Sequence, residues 1–135
     1  DFSGVSVCMH VREYQRTTAS LVTWLPADRE ERPFAAAAIG PPCCSVFVPC
    51  APAWVPEVLG DEATWRVISA LADAVEAEPD AMAALRAVLD PVEDQLWEDA
   101  TARPGRPPAD GGDGWSAAVR DGVARAATAV GAGAR

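Results

Sequence analysis

A chain of 135 residues, half of them apolar and 23% charged, has the size and composition of one ordinary domain. No run approaches the ~20 apolar residues that a membrane-spanning helix needs. Eleven arginines, no lysine and twenty acidic residues give a formal net charge of −9, the wrong sign for phosphate backbones or anionic lipid surfaces, so neither nucleic acid nor membrane is expected as a partner.

The first 50 residues read as strands. Val5, Val7, Met9 and Val11 alternate with Ser6, Cys8, His10 and Arg12, the period of two of a half-buried strand. Glu13 to Arg16 reads as the connection to a second strand over 17–25. The charged stretch 26–33, bracketed by Pro26 and Pro33, predicts a solvated turn before a third strand over 34–39. These three strands are expected to form an antiparallel meander. Gly40-Pro41-Pro42 stops the ladder because proline has no amide to donate, and 45–48 predicts a short fourth strand ended by Pro49.

Beyond Gly60 the period becomes helical. Asp61 is a plausible N-cap for a helix in which Trp65, Ile68, Leu71, Ala72 and Val75 share one face until Pro79. Asp80 is placed to cap a second helix carrying Met82, Leu85, Val88 and Leu89. The pair Asp90-Pro91 either starts a third helix, with Val92, Leu96 and Trp97, or kinks one long helix. Four glycines and three prolines between Thr101 and Gly114 predict an exposed loop, and Trp115, Val119, Val123 and Val130 predict a weak last helix. Strands followed by helices, without βαβ alternation, point to an α+β arrangement in one domain, with a strand region over 1–50 and a helical layer over 51–135.

Asp1-Phe2-Ser3-Gly4 offers neither the basic start nor the apolar run of a secretory signal, and the strand alternation that follows at once suggests an element begun upstream. The expectation is a cytoplasmic fragment that leans on an upstream segment of the same protein.

Four cysteines invite several readings. Cys8, Cys43, Cys44 and Cys50 show none of the paired spacings of a zinc site, so no metal is expected. A bond between the neighbours Cys43 and Cys44 would be strained, which leaves Cys8 or Cys50 as the more feasible disulfide partners. Without a secretory signal free thiols are favoured, packed as small apolar groups, with Cys44 also able to line a pocket. His10 is either a structural strand residue or a polar contact near substrate, and no acidic residue stands close in sequence to tune it. Thr17, Thr18 and Ser20 offer hydroxyls on a strand. Arg12 and Arg16 suit a substrate carboxylate or a salt bridge with Glu13. Ser45 has no histidine or acid at triad spacing.

Three blocks together, Cys8-Met9-His10, then Thr17-Thr18-Ala19-Ser20-Leu21-Val22, then Pro42-Cys43-Cys44-Ser45-Val46-Phe47-Val48-Pro49, resemble in order and spacing the C-terminal half of secernins and their bacterial dipeptidase relatives. The resemblance implies an αββα sandwich of the N-terminal nucleophile hydrolase kind. There the first residue of the mature enzyme is a cysteine whose thiolate attacks an amide carbonyl and whose α-amino group, of ordinary pKa ~8, is the base. It implies a small peptide or amide substrate, no cofactor, and His10, Arg12, Arg16, Thr17, Thr18, Ser20 and Cys44 as the residues nearest substrate. Asp1 departs from the pattern, so the nucleophile is expected upstream and this chain alone is expected to be inactive. A non-enzymatic binding module and an acyltransferase on the same fold are the alternatives, and a homo-oligomer is a further possibility.

Overall fold

The computed structural model describes residues 8, 10–11, 15–28, 30, 32–51, 53–103 and 106–132, with 10–11 described as backbone pairing. A two-residue strand β1 (His10–Val11) pairs antiparallel with β2 (Gln15–Arg16), His10 opposite Arg16 and Val11 opposite Gln15. Gln15 and Arg16 are therefore strand residues and not part of the connection that the sequence suggests.

A second sheet is an antiparallel meander of β3 (Ala19–Trp24), β4 (Phe34–Ile39) and β5 (Val48–Cys50), in that order. Ser20 faces Ala38, Val22 faces Ala36 and Trp24 faces Phe34, while Ala36 faces Pro49. The β3–β4 ladder runs one step further where the Gly40 amide donates to the Thr18 carbonyl at 2.7 Å.

The fourth strand expected over 45–48 lies instead at Val48–Cys50. Its place is taken by a 3-10 turn at Pro42–Cys44 and by a segment whose backbone bonds helix side chains in place of a ladder. Arg86 donates to the Ser45 carbonyl at 2.7 Å, and Glu93 accepts from the Phe47 amide at 2.9 Å. Pro49 fits within β5 because that strand is at an edge of the three-stranded sheet, where a missing amide breaks no ladder.

Three helices follow, α1 (Glu62–Ala77), α2 (Ala81–Thr101) and α3 (Asp113–Ala129). Asp61 caps α1, its carboxylate accepting from the Ala63 amide at 3.1 Å and the Thr64 hydroxyl at 2.6 Å. Asp80 flanks α2 without a side-chain cap bond. α2 passes through Pro91 as one helix, the second of the two arrangements open at Asp90-Pro91. The connection between α2 and α3 is shorter than 101–114 and is tied down at its end: Asp110 accepts from the Gly112 and Gly114 amides at 3.0 and 2.8 Å, and Pro108 and Gly112 are buried. Gly112, at φ +98°, takes the left-handed turn into α3 with Pro56 against it.

The core lies among the helices, the turn segment and one face of the sheet. Cys44, Val46, Val48, Ile68, Leu71, Leu85, Leu89, Leu96, Val119 and Val123 are its buried centre. Along β4 the buried residues are Ala36 and Ala38, small enough for helices to approach closely. The rings of Phe34 and Trp97, 5.0 Å apart, tie β4 to α2, and those of Trp54 and Trp115, 5.6 Å apart, anchor α3. Among the described residues no helix is long and apolar enough to cross a membrane.

Alternation along β3 puts Leu21 and Thr23 on the face opposite Val22, and so opposite the buried Ala36 and Ala38. That outer face is open. Leu21 is 68% exposed, Leu25 75% and Val55 63%, and together with Ala35 and Cys50 they line a hollow of about 410 Å³. β3 also overhangs the helices, since Val22 and Trp24 on the other face are about half exposed.

Candidate functional site

Three of the sequence-selected residues, Arg16, Thr17 and Thr18, fall at the junction of β2, β3 and the start of the turn after β4. Arg16, Thr17 and Thr18 line one hollow of about 670 Å³ with Gln15, Gly40, Pro41 and α1 residues Trp65, Ser69, Asp73 and Glu76. The strand pairing brings these groups together. β2 runs directly into β3, the Gly40–Thr18 bond pins the strand to the end of β4, and α1 crosses behind with Ser69, Asp73 and Glu76 facing the strand. Thr17 is half-buried and Thr18 exposed.

Arg16 is already engaged. One guanidinium nitrogen reaches Asp73 at 2.5 Å and Glu76 at 3.1 Å, and the other donates to the Ser69 carbonyl at 3.3 Å. Burial weakens the charged form, but the two carboxylates outweigh it and hold the guanidinium above its ordinary value. The partners of Arg16 are on α1, about 55 residues away in sequence and so out of reach of a local reading. Glu13, the neighbour the sequence suggested, lies outside the described residues.

Ser20 is half-buried on β3, on the same face as Ala38 and off the lining of this hollow. His10 is in β1 opposite Arg16. Arg12 lies outside the described residues.

Cys44 is fully buried in the 3-10 turn and belongs to a chain of three sulfurs. The Cys8 thiol donates to the Cys43 sulfur at 2.8 Å, and the sulfurs of Cys43 and Cys44 are 3.6 Å apart. All four cysteines are thiols. The hydrogen bond from Cys43 lowers the Cys44 thiol against the opposing effect of burial, with the Arg16 charge adding a smaller push in the same direction. Burial, followed by the bond donated to Cys43, pushes Cys8 up to about 11. Burial also raises Cys50. Polarity therefore runs inward along the chain, from a Cys8 that holds its proton to a Cys44 that gives it up more readily.

A larger hollow, of about 730 Å³, lies between α2 and α3. Its carboxylates are bound within the fold: Asp110 holds two backbone amides, Asp121 pairs with Arg125 at 2.8 Å, and Asp99 accepts from the Trp115 indole at 3.3 Å. Among the described residues its lining has no cysteine, serine, threonine or lysine. No grouping of three or more metal-ligating side chains occurs among the described residues.

Comparison with protein-family models, with curated proteins and with solved structures gives no match to this chain.

Proposed function

We propose that this chain is the sheet-and-helix portion of a cysteine-nucleophile amide hydrolase of dipeptidase type, in which the attacking sulfur and its α-amino base come from polypeptide that covers the outer face of the β3–β5 sheet. The observation that supports this reading is the unequal treatment of the two sheet faces. One packs on the helices through Ala36, Ala38 and the Phe34–Trp97 contact, with Val22 and Trp24 at its β3 edge left about half exposed, and the other presents Leu21, Leu25 and Val55 to solvent. A helix layer on one side and an apolar sheet face on the other are what half of an αββα sandwich requires, since two sheets pack face to face about 10 Å apart through such residues.

In this reading the hollow beside Thr17 and Thr18 takes the polar end of a small peptide or amide. Arg16 positions that strand through Asp73, Glu76 and the Ser69 carbonyl, and is not the carboxylate anchor. Its one positive and two negative charges leave the rim acidic, which suits a substrate α-ammonium group.

The test compares the 135-residue chain with the protein translated from the full reading frame, each against a panel of dipeptides. Turnover by the longer protein, abolished by acetylating its mature N-terminal amine, and none by the chain alone is the expected result. Turnover by the chain alone, or none by either, overturns the proposal. If hydroxylamine competes with water for the acyl intermediate, product partition separates a hydrolase from an acyltransferase.

A further inference from the structure

The chain of sulfurs joins two distant segments. Cys8 precedes β1, whereas Cys43 and Cys44 stand in a turn fixed by hydrogen bonds that the Cys44 amide donates to the Pro41 carbonyl at 2.9 Å and the Ser45 amide to the Pro42 carbonyl at 3.3 Å. Cys8 and Cys43 are half-buried and reach the surface, and Cys44 does not. A disulfide bond is about 2.05 Å long, so Cys8 and Cys43, at 2.8 Å, need less than about 1 Å of further approach to close one. Cys43 and Cys44 are adjacent in sequence, which makes a bond between them strained and leaves Cys8 as the partner of Cys43.

We propose that Cys8 and Cys43 form a reversible thiol–disulfide pair whose oxidant is a low-molecular-weight disulfide of the glutathione type. This inference does not depend on the hydrolase reading. In the first step Cys43 gives its proton to solvent and its thiolate attacks one sulfur of the small disulfide RSSR. The S–S bond of RSSR breaks, a Cys43–SR mixed disulfide forms, and the first RS⁻ takes a proton from solvent. In the second step the Cys8 sulfur attacks Cys43, the Cys43–SR bond breaks, and the second RS⁻ leaves with the Cys8 proton. The two cysteines lose two electrons and RSSR gains them, giving Cys8–S–S–Cys43 and two RSH.

The order of attack follows from the electrostatics. Burial first, and then the bond to Cys43, keep the proton on Cys8, and that bond is given up once Cys43 carries the mixed disulfide. Cys44 is the sulfur on which negative charge is favoured, yet it is fully buried, so a bulky oxidant meets Cys43 first. Cys50, in β5, is the internal control: its sulfur takes a hydrogen bond from the backbone of Ala37 in β4.

The folded chain is treated with glutathione disulfide, unfolded in excess N-ethylmaleimide, and weighed intact. The wild type is expected to lose two of its four maleimide adducts and to retain no glutathione. Cys8→Ser is expected to trap one glutathione on the protein, and Cys50→Ser to close the bond like the wild type. Cys43→Ser should keep every remaining thiol open to maleimide. Four adducts on the folded wild type, closure only in denaturant, or a disulfide still formed in Cys43→Ser each overturn the proposal. A circular-dichroism melt of every variant confirms that the fold is intact.

Discussion

Gly40 is the residue where sequence, backbone and packing meet most tightly. It ends β4, its φ of +78° lies in the left-handed region, and its amide closes the ladder onto Thr18. A Cβ placed there would stand 2.5 Å from Cγ2 of Ile68, which is fully buried in α1. Gly40→Ala therefore combines a left-handed backbone penalty of about 1–2 kcal/mol with overpacking of about 1–3 kcal/mol. Urea unfolding should show a loss of about 2–5 kcal/mol. Gly60→Ala is the control, because nothing lies within 4 Å of the added carbon. A Gly40→Ala variant as stable as that control would mean that the turn before Pro41 and Pro42 yields easily, and that it does not hold the wall of the hollow beside Thr18. The same residue shows what a sequence can disclose. Gly-Pro-Pro announces the end of a strand, but not that the glycine sits against Ile68, 28 residues on.

At the scale of elements, Asp61 joins two helices. Its carboxylate caps α1 and also meets Arg120 of α3 at 3.0 Å, while Arg120 reaches Glu57 at 3.3 Å. The bonds from Thr64 and then Arg120 bring the acid from its ordinary 3.8 down to about 2. A depressed folded-state pKa stabilises the fold above the unfolded value, and that contribution is lost as pH falls from about 4 to about 2. Asp61→Asn keeps a cap acceptor but drops the charge. The gap in urea midpoint between wild type and Asp61→Asn should thus be present at neutral pH and should close across that window. A gap unchanged at pH 2 would show that the ion pair with Arg120 has no part in stability.

This cap was legible because it needs only local signals, an acid before a helical stripe, and the buried Ile68, Leu71, Ala72 and Val75 follow the expected face. Trp65 from the same stripe is 40% exposed, because the face it extends reaches past the core. α2 was ambiguous at Pro91 because either arrangement preserves the stripe. Leu85, Leu89, Val92 and Leu96 are buried in one continuous line, and the approach of Gly122 to Val92 fixes that line against α3. The segment 45–47 reads as strand in the sequence because Arg86 and Glu93, which take its backbone groups, are more than 40 residues away. The contact of Cys8 with Cys43 spans 35 residues and was hidden for the same reason, although the sequence did single out Cys8 as a feasible partner.

Over the whole molecule, the balance between an open apolar face and a net charge of −9 decides how the chain behaves by itself. Leu21, Leu25 and Val55 contribute about 1.5–3 kcal/mol each when fully buried, and a symmetric contact counts them twice. Association costs on the order of 4–15 kcal/mol, and like charges on the two copies oppose it further. These opposing terms are of similar size, so any self-association is expected to be weak. Salt screens the repulsion, with a Debye length of about 10 Å at 0.1 M and about 3 Å at 1 M, so raising it should strengthen the association. Sedimentation velocity as a function of concentration and salt reads this directly. Leu21→Thr combined with Leu25→Ser should abolish the association while changing stability by no more than about 0.5 kcal/mol per site, as expected for exposed positions. If the wild type stays monomeric at every concentration and salt, the outer face is not adhesive, and the unequal sheet faces no longer argue for a second layer. If the double variant unfolds instead, the two leucines belong to the core of this chain and the face was never open to a partner.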